Sequence, residues 1–330
     1  MKGKYSVSVS NNKVKYEFSI KRNITVIQGD SATGKTTLVD MIREFEQNGA
    51  DSGINLSSKR NCRVLEGNNW EENLSLMNDS IIFIDEGNRF VESADFAKAV
   101  KNSGNYYVIV TREGLDNLPY SIEEIYGIHT SGKYADLKQV YHEFYRIYGN
   151  NNFNDCRIEK IITEDSNSGF GFFSAVCGEK IICESAGGKS NIFKKLLQAK
   201  NESVLAIADG AAFGSQMNLV SELLNKQEKL FLFAPESFEW LILQSDILND
   251  NEVKKILESP ENYIESKDYF SWEQYFTKLL VEKTSNTFLN YSKKKINPNY
   301  LPENVKRKIL TSDALKIIWE SMSEKIGIKK

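Results

Sequence analysis

Short apolar runs alternate with amphipathic ones along most of this chain. Residues 4–9 and 13–19 alternate polar and apolar positions around Asn11-Asn12, which predicts a β-hairpin. Residues 23–28 predict a short buried strand. After them Leu38, Met41, Ile42 and Phe45 fall at helical spacing. Residues 48–61 are rich in Gly, Ser and Asn and predict a loop. Residues 80–85 predict a fully apolar strand ending in acid, 93–102 a helix, and 106–111 another buried strand. In the second half, 156–163, 169–176 and 180–184 predict strands, followed by a helix at 189–199. A strand at 204–209, a helix at 215–225 and a strand at 230–234 come next. From about 250 the tail reads as helical, with Trp272, Tyr275, Phe276, Leu279 and Leu280 on one face. Apolar strands alternating with helices argue for an α/β fold with parallel sheets. The run Gly-Asn-Asn-Asn-Phe-Asn-Asp at 149–155 predicts a linker, which divides the chain into 1–150, 151–250 and a helical region at 251–330.

Composition narrows the function classes. The chain has 330 residues, 41% hydrophobic and 26% charged, enough to bury sizeable cores. Its formal charge of −3 excludes a general polyanion binder. DNA or RNA could engage only a local basic patch, at Lys293–Lys295 or Lys306-Arg307-Lys308. No apolar run approaches the length of a membrane span, and the first residues lack an apolar signal core, so a cytoplasmic location is expected. Cys62, Cys156, Cys177 and Cys183 form no C-x-x-C pair and are expected to be reduced thiols. With only His129 and His142, a histidine-rich metal site is excluded, and neither lies in a Ser-His-Asp motif.

The sharpest signal is Gly29-Asp30-Ser31-Ala32-Thr33-Gly34-Lys35-Thr36, followed by Thr37. It satisfies the phosphate-binding pattern G-x-x-x-x-G-K-[ST] at every fixed position, between a predicted strand and a predicted helix. That context supplies what a phosphate needs: successive backbone N–H groups and the positive end of a helix. Lys35 would reach the β- and γ-phosphates, and the Thr36 hydroxyl would ligate Mg²⁺. Asp85 and Glu86 close the apolar strand 80–85. Asp85 would hold Mg²⁺ opposite Thr36, and Glu86 would orient or deprotonate the attacking water. Arg112, after the strand 106–111, would place positive charge at the γ-phosphate.

These elements resemble the ABC-type and related AAA-like P-loop ATPases over roughly residues 1–130. The resemblance implies an NTPase sheet preceded by a β-hairpin, with ATP and Mg²⁺ as cofactors. Only 50 positions separate Lys35 from Asp85, and the L-S-G-G-Q signature that ABC proteins carry in this interval is absent. The missing signature argues against head-to-head ABC dimerisation, leaving a homo-oligomer of another kind or a protein partner open. No NKxD-type motif is present, which favours ATP over GTP.

The second half places acids at the ends of predicted strands: Glu184, Asp209, and Glu236 with Glu239. Carboxylates gathered at one sheet edge need a hard cation, and Mg²⁺ suits phosphodiester cleavage. This order resembles the Toprim domain of topoisomerases, primases and the overcoming-lysogenization-defect (OLD) nucleases over roughly residues 178–245. The resemblance implies Glu184 and Asp209 as catalytic metal ligands, with Glu236 or Glu239 as a further acid. Two departures stand out: Ala211 occupies the second acidic position of D-x-D, and Ser185 follows Glu184 in place of glycine. Gly187-Gly188-Lys189-Ser190 is a glycine-rich helix entry that could receive a phosphate, but not a second phosphate loop.

Three functions are therefore expected. The first is an ATPase controlling a Mg²⁺-dependent nuclease or nucleic-acid effector, an architecture resembling OLD-family phage-defence proteins. The second is an ATP-dependent switch with an inactive second domain. The third, ranked last, is a small-molecule kinase.

Overall fold

The structure is a computed structural model that describes residues 1–30, 33–131, 139–149, 158–199, 201–310 and 315. The chain divides into two compact units. One comprises Met1–Gly149 with Ser259–Ser271, and the other Asn150–Glu258 with Trp272–Lys330.

The first unit opens with the hairpin β1 (Tyr5–Ser10) and β2 (Val14–Ile20), then β3 (Ile24–Ile27) and helix α1 (Lys35–Asn48). Next come β4 (Asn55–Ser58), β5 (Asn61–Val64), α2 (Trp70–Ser75), β6 (Ser80–Ile84), α3 (Ala94–Lys101) and β7 (Tyr106–Val110). It closes with β8 (Ile125–Ser131) and β9 (Val140–Arg146). Among the described residues these strands form one sheet in the order β4-β1-β2-β9-β8-β3-β7-β6-β5. From β8 to β5 every pairing is parallel, and β1 pairs antiparallel with both β2 and β4. All of β3, β6 and β7 is buried, as strands covered on both faces must be. Leu38, Val39, Met41 and Ile42 of α1 join the same core as Val7, Ile27, Phe83 and Val108.

The second unit contains β10 (Lys160–Thr163), α4 (Ser168–Cys177), β11 (Ile182–Ser185), α5 (Lys189–Gln198), β12 (Val204–Ile207), α6 (Met217–Lys226) and β13 (Leu230–Phe233). Helices α7 (Phe238–Gln244), α8 (Asn251–Glu258), α9 (Trp272–Thr284) and α10 (Glu303–Leu310) follow. Its sheet runs β11-β10-β12-β13, all parallel. The α/β class expected from the sequence is therefore present.

Several elements differ from expectation. Residues 169–176 form most of helix α4, not a strand. The buried Phe172, Phe173, Val176 and Cys177 recur at i, i+1, i+4 and i+5, a helical face within an otherwise apolar run. Gly171 stands where bulk is excluded: a Cβ there would lie 2.9 Å from Ile296 Cγ2. The expected loop 48–61 contains β4, an edge strand whose partner β1 is distant in sequence, and reaches the first residue of β5. Strands β8 and β9 lie where the hydrophobic pattern predicts no element. The region 251–330 is not one body, because 259–271 belongs to the first unit. There Gly3 N–H donates to the Glu261 carbonyl at 2.6 Å, and the Asn23 amide donates to that of Phe270 at 2.9 Å. The predicted linker falls largely on residues outside those described. Among the described residues no helix is long and apolar enough to cross a membrane.

Candidate functional site

In the first unit the parallel strands bring three predicted segments to one edge of the sheet. Strand β7 lies between β3 and β6, so the loop after β3, the acids after β6 and Arg112 after β7 are neighbours. Gly34, the N-cap of α1, has φ +92°, a conformation that favours glycine. The loop also has no room there, since a Cβ would lie 2.7 Å from Tyr16 Oη. Ser31 and Ala32 lie outside the described residues.

Lys35 is buried and turned into the loop. Its ammonium donates to the Gly29 carbonyl at 2.7 Å, to the Thr33 hydroxyl at 3.2 Å and to the Asp30 carbonyl. Burial lowers its pKa, against the pull of Glu86, Asp30 and Asp85. The Thr36 hydroxyl lies 3.5 Å from Asp85 Oδ1. Burial raises the Asp85 pKa. Glu86 Oε1 pairs with Arg112 Nε at 2.7 Å. Thr36 and Asp85 thus place two hard oxygen groups side by side, next to an ammonium that could meet a polyphosphate. Thr37 contacts Tyr16 through its side chain. A cavity of about 650 Å³, lined by Trp70, Asp79, Lys98 and Lys267 among others, includes Asp79 and Gly104 near the opposite ends of β6 and β7, away from this site.

In the second unit the carboxyl ends of the four strands are in register at Ser185, Thr163, Ile207 and Phe233. The acids gathered there differ from the predicted set. Glu184 lies on the edge strand β11, paired with Lys160 at 2.8 Å and Lys195 at 3.4 Å. Its carboxylate meets the residue that begins β10, not the end of the sheet. Burial opposes its charge, but the two ammonium groups outweigh that and hold its pKa below the usual range. Glu184 is therefore a satisfied ion-pair residue in this structure.

The neighbour of Asp209 is Glu164, the residue directly after β10. Asp209 N–H donates to Glu164 Oε2 at 3.0 Å, and Asp209 Oδ1 accepts from Phe238 N–H at 3.3 Å. Burial pushes the Glu164 pKa up to about 7, with Glu273 adding and Lys189 opposing. Burial also raises Asp209 well above the carboxylate range, and Glu273, Glu164 and Glu239 push the same way. Glu239 is buried and accepts from Tyr291 Oη at 2.9 Å. Lys293, expected in a basic patch, instead pairs with Glu273. Burial disfavours its charge, but Glu273, Glu239 and Asp209 keep it protonated. Glu236 meets this region through its backbone, its carbonyl accepting from Ala211 N–H at 3.2 Å.

Glu164 and Asp209 line a cavity of about 30 Å³ with Thr163, Asp165, Gly169 and Phe238. That is room for one or two water-sized occupants. Carboxyl groups outnumber the lysines Lys189 and Lys293 in this neighbourhood, so further protons or a cation must balance them. Among the described residues, however, no three His, Cys, Asp or Glu side chains stand close enough together to hold a metal ion. Among the described residues the four-acid set Glu184, Asp209, Glu236 and Glu239 is not assembled as a metal site, although Asp209 and Glu239 influence one another. The sequence signal for Glu164 was available: Ile161-Ile162-Thr163-Glu164 repeats the apolar-strand-then-acid pattern of 204–209.

A comparison with protein-family models finds no match. A comparison with curated proteins finds none either.

Proposed function

We propose that this chain is an ATP-binding protein and an ATPase whose nucleotide state controls a Mg²⁺-dependent, Toprim-like nucleic-acid effector centre in the second unit. The single observation that carries the nucleotide reading is the meeting of Thr36 with Asp85 at 3.5 Å, beside the buried Lys35 and the Glu86–Arg112 pair. Thr36 and Asp85 would hold Mg²⁺, which supplies charge neutralisation at the phosphates. The loop N–H groups and Lys35 orient the polyphosphate. Glu86 takes the proton of the attacking water as its oxygen bonds to the γ-phosphorus and ADP leaves. Arg112 pairs with Glu86 and would turn to the γ-phosphate of a bound nucleotide.

In the second unit Glu164 and Asp209 replace the pair Glu184 and Asp209 as the acids proposed to hold Mg²⁺. Their raised pKa values support this, since a cation relieves what burial makes costly. The buried Ala211, standing where a second acid is expected, favours an alternative reading in which the centre is regulatory and does not cleave. A soluble cytoplasmic setting, with a homo-oligomer or protein partner, fits either reading.

Phosphate release from ATP, with and without DNA or RNA, tests the first half. Glu86→Gln should abolish turnover while ATP still binds. Plasmid nicking in Mg²⁺ tests the second half. Glu164→Gln and Asp209→Asn should abolish it, and Glu184→Ala should not. Nicking retained by the first two variants would remove the effector reading.

A further inference from the structure

Two aromatic residues outside the phosphate-loop motif stand directly against it. Tyr16 of β2 and His142 of β9 occupy paired register positions on neighbouring parallel strands. Their rings stack at 4.7 Å with 9° between planes. Tyr16 is fully buried and His142 is 9% exposed. The Tyr16 hydroxyl donates to the Gly34 carbonyl at 2.8 Å. A Cβ on Gly34 would meet Tyr16 Oη at 2.7 Å, His142 Cε1 at 3.1 Å and His142 Nδ1 at 3.4 Å. Both rings therefore touch the last glycine of the loop.

That contact governs a particular atom. The Gly34 carbonyl and the Lys35 N–H belong to one planar trans peptide and point in opposite directions. Whatever holds the carbonyl aims the N–H. The same carbonyl accepts from Leu38 N–H at 3.0 Å, so Tyr16 fixes the first turn of α1 as well. At a helix start the unpaired N–H groups are the ones that receive an anion. His142 makes no hydrogen bond through Nδ1, which is buried and unpartnered. Its contribution is thus its ring, which supports the flat face of Tyr16.

We propose that Tyr16 and His142 are positioning residues for a nucleoside triphosphate at residues 29–37, a backstop that aims the Lys35 N–H and the first turn of α1 at its phosphates. The proposal rests on the nucleotide reading above. It makes affinity for the triphosphate depend on two residues that never touch it. The ring, not the imidazole nitrogen, is what matters at position 142.

The test is titration of the full chain with ATP and Mg²⁺, alongside turnover at saturating ATP, with far-UV circular dichroism to check folding. Tyr16→Phe keeps the ring and removes the hydroxyl, and should weaken binding about 3–10-fold. His142→Ala should weaken it at least as much. His142→Phe, which keeps a stacked ring, should bind within about 3-fold of the parent. For all three, turnover at saturation should stay near the parent's, a split between KM and kcat that general loss of structure would not give. Tyr16→Phe and His142→Ala both binding like the parent would overturn the backstop, as would His142→Phe falling with His142→Ala. If His142→Ala does not fold, Tyr16→Phe and His142→Phe decide. Lys35→Ala separates the two layers. If it loses binding while Tyr16→Phe does not, the backstop fails and the nucleotide reading stands. If the parent binds no ATP, or Lys35→Ala binds equally well, both fail.

Discussion

Replacing Glu164 by glutamine should stabilise this protein at alkaline pH, the reverse of what loss of a buried carboxylate usually does. Burial pushes the Glu164 pKa from 4.5 to about 7 in the folded chain. The folded state then binds a proton more tightly than the unfolded state does. The stability this proton confers is fully present below the unfolded pKa and is lost as pH rises through about 7. The interval amounts to roughly 3 kcal/mol at pH 8, at about 1.36 kcal/mol per pKa unit. Glutamine mimics the protonated acid and can still accept from Asp209 N–H. The variant should exceed the parent by no more than about 1 kcal/mol at pH 5 and by up to about 3 kcal/mol at pH 8 in metal-free buffer. For a unit of this size that is on the order of 6–12 °C in melting temperature. Thermal melts of both proteins from pH 5 to 8.5, with EDTA and with Mg²⁺, provide the assay. Mg²⁺ should raise the parent's melting temperature at pH 8 and leave the variant's nearly unchanged. A variant that is less stable at every pH, or an equal response of both proteins to Mg²⁺, would refute the reasoning.

Two further substitutions probe other links. Arg112 and Glu86 form a partly exposed pair, so Arg112→Ala should change stability by no more than about 0.5 kcal/mol yet slow ATP turnover about 10²-fold; melting and phosphate release together check this, and unchanged turnover would remove Arg112 from the chemistry. Gly210 lies where a Cβ would come within 2.4 Å of the Ala234 carbonyl oxygen and 2.8 Å of that of Pro235. Gly210→Ala should therefore cost on the order of 3 kcal/mol in urea unfolding, because neither backbone atom can move aside cheaply.

The two halves of the chain were unequally legible. The pattern at 29–36 stands out because its chemistry fixes residue types at fixed spacing, and strand β6 could be read because every residue from Ser80 to Ile84 is buried. Asp85 then follows from position alone. Glu164 escaped for a local reason. Phe170, Phe172 and Phe173 make 169–176 look like a strand, and two glycines lower its helix propensity. Read so, Glu164 falls in a turn between strands, not at a strand-to-helix junction. Burial of Phe172, Phe173, Val176 and Cys177 decides for the helix, a tertiary effect that overrides local preference. Glu184 shows the opposite limit. It ends an apolar run, but its fate depends on Lys160 and Lys195, at different distances along the chain. Lys293 reads as one of three surface lysines, and only the fold turns it toward Glu273. Strand β4, mostly polar, owes its existence to pairing with β1.

The central claim is that residues 29–37 hold Mg²⁺-ATP. Isothermal titration of the parent and of Lys35→Ala with ATP, in Mg²⁺ and again in EDTA, tests it most directly. The account predicts one saturable site in the parent, weakened without Mg²⁺. In Lys35→Ala, affinity should fall about 100-fold, roughly 2.7 kcal/mol, as expected for loss of a charge-assisted contact to phosphate. Equal affinity in the two proteins, or no binding by the parent, would contradict it.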